Sequence, residues 1–332
     1  MSVGRLPERF SSGLSLPLIV APMFLVSGVD LVVESCKNGA IGAIPSLNAR
    51  SPEILDQWLS DLTTRLEQHR ASGFPNAPWA VNLLVHTSNP RLSPDLEVCV
   101  RYKAPLIITA LGGPRRIIDA VHSYGGLVFA DVNSPEYARK AVRDGVDGLM
   151  LVCSGAGGHT GSMSPFAFVS AVREFWNGII VVSGALSSGA DLRAIQASDA
   201  DLGCMGTQFI ATHESLAVTP YKDMVVASSF KDIICTDAIT GAWANKLRPS
   251  LVAAGLDPDN LKPYGRLDLS NAEVDIKAWR DLWSAGHAVG QVKSIQSTSQ
   301  VIAQIKREYA SALARELNDP WRLLSQRATH VS

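Results

Sequence analysis

A histidine flanked by glycines is the residue of this sequence best suited to acid–base chemistry. His159 lies in the segment CSGAGGHTG, residues 153–161, which directly follows an apolar run. An imidazole titrates near neutral pH, so it suits proton transfer or the polarisation of an oxyanion. Glycines allow close backbone approach to a planar ligand, which makes Gly157 and Gly158 candidate binding residues. We predict His159 as a catalytic residue. The alternative is a loop histidine without a role, which describes most of the seven histidines.

Two glycine-bearing sites at the ends of later apolar runs predict a phosphate site. They are Ser183-Gly184 and Gly206-Thr207, whose glycines lie 206 − 184 = 22 residues apart. In a (β/α)8 barrel, the loops after the seventh and eighth strands frequently bind phosphate through backbone N–H groups and a helix N-terminus. Thr207 adds a hydroxyl donor. Each glycine alone could simply end a strand, but the pairing at adjacent strand ends favours the phosphate site.

Further candidates stand within or at the end of apolar runs. Asn82 and Asp131 interrupt such runs, and a buried polar side chain needs a partner. The amide-like edge of a ligand ring would supply one, and so would a backbone group inside the fold; both alternatives stay open for Asp131. Ala21 and Met23 end the first run, where the backbone could pass beside a flat ring and Met23 could pack on it. Core packing is the alternative for Met23.

The elements that position these residues follow from an alternation of short apolar runs and amphipathic segments. The runs are rich in Val, Ile and Leu and lack polar alternation, as strands buried on both faces do. Residues 51–70, 134–144 and 164–176 open with Ser-Pro, a typical helix start. Eight runs predict a parallel α/β fold of the (β/α)8 TIM-barrel type. A doubly wound open sheet is the rival, disfavoured because no GxGxxG turn follows the first run. The runs cover residues 16–23, 40–47, 79–85, 105–112, 126–132, 148–155, 179–186 and 201–210.

The alternation stops at residue 211, where prolines and glycines punctuate short pieces. We predict a small cap or substrate domain over residues 211–275, after the eighth strand and at the barrel mouth. Residues 1–210 together with 276–332 then form the barrel. Within the cap, Lys246 and Arg248 are candidates for attracting an anionic substrate. A solvated surface pair is the alternative.

Composition excludes several classes of partner. The 332 residues are 46% hydrophobic and 18% charged, with a net charge of −1, as in an ordinary globular protein. No basic excess predicts nucleic-acid binding, and no apolar run reaches the roughly 18 residues of a membrane span. Five dispersed cysteines argue against disulfides and zinc, and we expect no metal. We expect a cytoplasmic monomer or homodimer that acts on a small molecule.

Taken together, these segments resemble the nitronate monooxygenases, a family related to FMN-dependent enoyl-acyl-carrier-protein reductases and NAD(P)H:quinone reductases. The resemblance implies a TIM barrel that binds FMN noncovalently, with His159 as the catalytic histidine near flavin and substrate. It implies that the flavin is held by the Met23 backbone, the Asn82 side chain, and the loops at Gly157-Gly158, Ser183-Gly184 and Gly206-Thr207. The similarity spans nearly the whole chain and is carried by APM, VNLL, AGGHTG, SGAL, SSGADL, GTQFIAT, YKDMVV, TDAITGAWANKLRPS and WSAGHAVG.

Four positions depart from the family pattern. One branch of the family carries Lys where Asp131 aligns, and an acidic residue where Val152 stands. Many members read WSAGQGVG where this chain has His287-Ala288. His287 puts a titratable ring where an amide is usual, so it is a candidate for changing the flavin edge or the substrate preference.

The resemblance implies a reaction class but leaves more than one reaction open. The first expectation is an FMN-dependent monooxygenase that oxidises alkyl nitronates, such as propionate 3-nitronate, with O2 to a carbonyl compound and nitrite. The alternative is a reductase in which NAD(P)H reduces the same FMN and a quinone or enoyl thioester accepts the electrons. A barrel that binds a phosphate ligand without catalysis ranks below both.

Overall fold

Eight parallel strands close into a barrel in the computed structural model, which describes residues 4–239, 241–262 and 281–321. The barrel follows chain order, β1-β2-β3-β4-β5-β6-β8-β9, and β1 pairs with β9 to close it. The predicted (β/α)8 barrel is therefore confirmed, and the open-sheet rival is wrong. The strands are β1 Leu18–Val20, β2 Ile41–Pro45, β3 Trp79–Leu84, β4 Leu106–Ala110, β5 Leu127–Val132, β6 Gly148–Val152, β7 Gly158–His159, β8 Ile179–Ser183, β9 Leu202–Met205, β10 Ile233–Thr236 and β11 Ala244–Leu247.

Helices cover the outside of the barrel, and three of them begin as the Ser-Pro pattern predicts. Ser51, Ser134 and Ser164 each accept a hydrogen bond from a backbone N–H in the first turn of the helix that follows. Gly145 ends one helix with φ of 96°, a left-handed conformation that favours glycine. The helices are α1 Glu8–Ser11, α2 Val29–Lys37, α3 Pro52–Ala71, α4 Leu92–Arg101, α5 Arg115–His122, α6 Pro135–Asp144, α7 Pro165–Arg173, α8 Gly189–Ala197, α9 Thr207–Ile210, α10 Thr219–Ala227, α11 Arg248–Ala253 and α12 Thr298–Leu317.

The structure differs from the prediction at the end of the last apolar run. The last run, 201–210, is predicted as one strand, but β9 ends at Met205 and α9 begins at Thr207. The chain therefore turns at Gly206, and the turn places Thr207 at the cavity described below. The predicted barrel segment 276–332 contains α12, which packs against α8 and α2; residues 276–280 and 322–332 of that segment lie outside the described residues.

Strand alternation divides the barrel into two apolar layers. One face of each strand packs outward against the helices, and the other fills the barrel interior with residues such as Ile19, Phe129 and Val181. Because side chains alternate along a strand, the residue two positions further along shares the same face. Asp131 and Ser183 therefore stand directly above Phe129 and Val181, at the carboxyl end of the barrel.

A second, three-stranded sheet lies outside the barrel, with the order β10-β11-β7. Its strand β7 belongs to the loop after β6, so the predicted cap pairs with a barrel loop. The predicted boundary at residues 275 and 276 lies outside the described residues. A small apolar cluster joins α10 to the segment at 285–292; it includes Val26, Ile210, Tyr221, Val225, Leu247, Ala285, Val289 and Val292.

No helix in the described part of the chain is both long and apolar enough to span a membrane. Among the same residues, no cluster of three or more His, Cys, Asp or Glu side chains has an arrangement that could hold a metal ion.

Candidate active site

A cavity of about 750 Å³ opens at the carboxyl ends of the barrel strands. It gathers all the residues predicted above to hold the cofactor, together with His159. The predicted residues in its lining are Ala21, Met23, Asn82, Asp131, Gly157, Gly158, Ser183, Gly184, Gly206 and Thr207. Lys246 and His287, the two candidate substrate residues, are not among the lining residues. Segments spread over 186 residues of sequence (207 − 21) therefore meet at one place.

The barrel side of the cavity carries two polar side chains that behave differently. Asn82 donates from Nδ2 to the carbonyl oxygen of Ile108 over 3.1 Å, so the backbone supplies part of its hydrogen bonding. Oδ1 of Asp131 is buried and has no hydrogen-bond partner among the described residues. Burial raises the pKa of Asp131 from 3.8 to about 7. A backbone partner, one of the two alternatives for these residues, is thus present for Asn82 and missing for this oxygen of Asp131.

The two glycine sites form a narrow cradle. A Cβ at Gly184 would lie 3.0 Å from the carbonyl oxygens of Cys153 and Ser154, and the φ of Gly184 is 134°. A Cβ at Gly206 would reach within 3.3 Å of the Met23 sulfur. Neither glycine therefore leaves room for a side chain, and both line the cavity with backbone. Thr207 lies beside them, and its Oγ1 accepts from the Gly286 N–H over 2.9 Å, which leaves the hydroxyl hydrogen available for donation.

The expected contribution of a helix N-terminus to this cradle is not found at α8. Its N-cap residue Ser188 forms a capping box with Asp191, and Oδ2 of Asp191 also accepts from the Ser187 N–H over 2.8 Å. The Gly189 N–H donates to Glu308 over 3.0 Å. These donors are satisfied by protein groups, so a phosphate here would be held by the loop backbone and Thr207.

His159 reaches the cavity from the second sheet. It pairs with Ala244, and Gly158 pairs with Asn245, whose side-chain amide donates to the carbonyl oxygen of Ala156 over 2.7 Å. The residue keeps partial exposure toward the cavity, while its Nε2 atom is buried. Burial, and to a smaller extent the charge of Lys246, lower the pKa of His159 from 6.5 to about 4. The imidazole is therefore neutral near pH 7.

Lys246 and Arg248 lie in very different surroundings. Lys246 is completely buried, its Nζ donates to the carbonyl oxygen of Leu282 over 3.0 Å, and burial lowers its pKa to about 7. Arg248 is exposed and pairs with Asp259 over 3.0 Å. A solvated surface pair therefore describes Arg248 and is wrong for Lys246.

His287 packs against the loop that carries His159. Its backbone N–H donates to the carbonyl oxygen of Gly155 over 3.0 Å, and its ring meets Phe230 edge-on, with centroids 5.0 Å apart. Burial lowers the pKa of His287. Its neighbours Gly286 and Ala288 line the cavity, although His287 itself does not.

Two lining residues were missed in the residue-by-residue prediction. Tyr221 donates from its hydroxyl to the carbonyl oxygen of Ser284 over 2.5 Å and stacks on Trp283. The Ser284 Oγ atom is buried and has no partner among the described residues. Both residues stand in segments that carry the family resemblance, YKDMVV and WSAGHAVG, so the motifs contained the signal.

Comparison with known proteins places this chain among flavin-dependent oxidoreductases. A family model described as nitronate monooxygenase matches residues 61–308. A nitronate monooxygenase of Paraburkholderia phytofirmans is 23% identical over 91% of this chain and 94% of the relative. Among solved structures, a nitroalkane oxidase of Streptomyces ansochromogenes superposes with a TM-score of 0.77 at 20% identity, over 92% of this chain and 98% of that one. FabK of Thermotoga maritima superposes with a TM-score of 0.75 at 24% identity, over 94% and 97%. At these identities the solved structures show the shared fold.

Proposed function

Because this chain belongs to the nitronate monooxygenase family, we propose that it binds FMN in the cavity and oxidises alkyl nitronates with O2 to a carbonyl compound and nitrite. The observation that carries the proposal is the neutral imidazole of His159, which shares one cavity with the glycine cradle and with the unpartnered Oδ1 atom of Asp131. Propionate 3-nitronate is a suitable test substrate of this class.

The residues of the cavity fit a flavin mononucleotide. The cradle at Gly184, Gly206 and Thr207 lines the cavity and offers backbone and hydroxyl groups to a phosphate. Asn82 and Asp131 offer polar atoms to a ring on the barrel side, and the Oδ1 atom of Asp131 needs such a partner. FMN bound there would supply the redox chemistry between the substrate and O2.

His159 then orients the substrate as a neutral hydrogen-bond donor. A preorganised donor beside developing charge is worth a few kcal/mol. A group with a pKa of about 4 is a weak base at pH 7, so proton abstraction from a neutral nitroalkane would be slow. We therefore expect the enzyme to prefer a preformed nitronate over the corresponding nitroalkane.

A second candidate reaction is reduction of a quinone or an enoyl thioester by NAD(P)H in the same site. One feature of the cavity favours this second reaction. The cavity lining extends to the carboxyl ends of β2, β3 and β4, where it includes the apolar residues Leu47, Leu84 and Leu111. That extension suits a bulky apolar acceptor better than a short nitronate.

One pair of measurements separates the two reactions. The purified protein is mixed aerobically with propionate 3-nitronate while O2 uptake and nitrite are followed, and anaerobically with NADH or NADPH while the flavin absorbance is followed. O2 uptake with nitrite release, and much slower turnover of the neutral nitroalkane, is the expected result. Rapid bleaching by NADH or NADPH, with no O2 uptake on the nitronate, would replace the first proposal by the second.

A further inference from the structure

We propose that Asp131 binds the cofactor in its protonated, neutral form, through a ring edge where a carbonyl lies beside an N–H. The inference rests on the proposed function, because it assigns a chemical form to one residue of the same site. It also gives a physical role to a position where one branch of the family carries Lys.

The position of Asp131 makes it the main polar feature of the barrel side of the cavity. It stands on the inner face of β5, two residues beyond the fully buried Phe129, and it is the only carboxylate in the described lining. Its Oδ1 atom is buried and has no hydrogen-bond partner among the described residues. A buried polar atom of this kind favours a ligand that completes its hydrogen bonding.

The neighbours of Asp131 provide no compensation for a negative charge. The flanking strands β4 and β6, with the sequences LIITA and GLMLV, contain no titratable side chain. Across the barrel, Cys204 interacts electrostatically with Asp131, and burial raises the pKa of this thiol to about 12, so it stays neutral. His159, on the opposite side of the cavity, is neutral near pH 7 because its pKa is about 4.

The two cations in the described lining are also not engaged with Asp131. Arg91 donates to Asp95 over 2.7 Å and to the carbonyl oxygen of Ala49. Arg50 is exposed at the rim. Burial is the cause of the raised pKa of Asp131, and no cation offsets it.

An ionised carboxylate without a partner is costly to bury, by several kcal/mol, whereas the protonated acid carries one O–H donor and one carbonyl acceptor. That pair of groups complements a ring edge on which a carbonyl stands beside an N–H. The flavin ring has such an edge in its imide. A carboxylate could accept from the N–H but would face the neighbouring carbonyl oxygen with like charge. Binding would therefore favour the protonated acid, and affinity would fall once Asp131 ionises.

The experiment measures FMN release from the holoenzyme by dilution, followed by the fluorescence of free FMN, between about pH 6 and 9. For the natural protein, the dissociation constant is expected to rise by up to about tenfold per pH unit once the pH exceeds the pKa near 7. The variant Asp131→Asn keeps a donor and an acceptor but cannot ionise, so its dissociation constant is expected to be nearly independent of pH. The pKa of Lys246 is also about 7. Because the variant keeps Lys246, any pH dependence caused by that lysine would remain in the variant.

Two outcomes overturn the inference: a dissociation constant of the natural protein that does not change with pH, or the same pH dependence in Asp131→Asn. If the variant fails to fold, infrared spectroscopy of the natural protein decides. A C=O band of a protonated carboxylic acid that depends on FMN, above pH 7, supports the inference, and its absence overturns it. A protein that binds no FMN at any pH would sink the proposed function as well, whereas FMN binding without pH dependence sinks only this inference.

Discussion

On the two sides of the cavity, burial shifts the pKa values of titratable groups in opposite directions, and each shift favours the neutral form. On the barrel side, formed by the ends of the barrel strands, burial raises the pKa of an acid, Asp131, to about 7. On the side of the three-stranded sheet β10-β11-β7, called the cap side below, the pKa of a base, His159, is lowered to about 4. Burial is the largest cause of both shifts, because a desolvated site disfavours whichever form is charged; the charge of Lys246 adds to the shift of His159. The cavity therefore presents donors and acceptors with little charge, which suits the polar edges of a neutral ring.

The two sides differ in how the chain builds them. On the barrel side, Asp131 and Ser183 stand above apolar residues by simple strand alternation, a local property of the sequence. On the cap side, His159 is held by β7, which pairs with β11, a strand some 85 residues later (244 − 159). The same chemical environment thus arises from a local pattern on one side and from long-range pairing on the other.

The largest effect is expected for a substitution of His159, the imidazole on the cap side. His159→Asn should lower turnover of the nitronate by about 100-fold with FMN still bound, because the donor beside the developing charge is displaced. Steady-state kinetics together with the flavin spectrum measure both quantities. His213→Asn is the matched control, since His213 is exposed and lies outside the cavity lining. An unchanged rate in His159→Asn would remove His159 from the mechanism.

A tight packing contact between the cap side and the loop after β6 gives the next prediction. A Cβ at Gly286 would lie 2.5 Å from the carbonyl oxygen of Gly155 and 3.0 Å from the N atom of Gly157. Gly286→Ala should therefore destabilise the protein by about 1–3 kcal/mol, as overpacking does, and weaken FMN binding. Denaturant unfolding and flavin titration measure these effects.

Gly290 provides the control for that variant within the same segment. The nearest atom to a Cβ at Gly290 is 3.8 Å away, the Cα of Ser229. Gly290→Ala should leave both stability and FMN affinity close to those of the natural protein. Equal losses in the two variants would show that the segment tolerates no side chain anywhere, and the specific contact with Gly155 would lose its support.

The barrel side could be predicted from the sequence better than the cap side. The eight barrel strands could be located because runs such as IIVV at 179–182 are apolar on both faces, and that pattern is local. Residues at strand ends, such as Asn82 and Gly206, could then be placed at one mouth by the geometry of parallel strands. The end of β9 could not, because the apolar residues that continue to Ile210 fit a strand as well as a short helix.

The cap side could not be worked out in the same way. A strand of two residues such as β7 is too short to show a periodic pattern, so the sequence near it does not predict its pairing with β11. Lys246 pairs with Ile234 in β10 and donates to the carbonyl oxygen of Leu282, 36 residues later; in the sequence alone, a lysine two residues before an arginine fits a surface pair equally well. Ser284 and Tyr221 lie in family motifs, but which of their atoms face the cavity is decided by long-range contacts.

In the flavin-free protein, His159 and Asp131 should affect the pH dependence of stability in opposite directions. Between about pH 4 and 6.5, the unfolded chain protonates His159 and the folded protein does not, so His159 makes stability fall as pH falls. Between about pH 3.8 and 7, the folded protein holds a proton on Asp131 that the unfolded chain releases, so Asp131 makes stability rise as pH falls. In the natural protein the two contributions oppose each other.

Single variants should expose each contribution. From pH 6.5 to 5, Asp131→Asn should lose on the order of 1–2 kcal/mol relative to the natural protein, and His159→Asn should gain a similar amount. Denaturant unfolding at pH 5.0, about 5.5 and 6.5 measures the free energies, and the difference between variants cancels the titration of all other groups. If both variants followed the natural pH profile, burial would not be controlling these two groups.

The smallest expected effect lies on the outer surface of the cap. Arg248 and Asp259 form an exposed ion pair, and such pairs contribute roughly 0–1 kcal/mol. Arg248→Ala should change the free energy of unfolding by about 0.5 kcal/mol or less and leave the KM for an anionic nitronate unchanged, because the side chain lies outside the cavity lining. A KM that rises in the variant, and rises less at high salt, would mean that Arg248 attracts the anion from a distance. Arg248, on the outer surface, would then take part in substrate binding, and the residues that bind substrate would not be confined to the cavity lining.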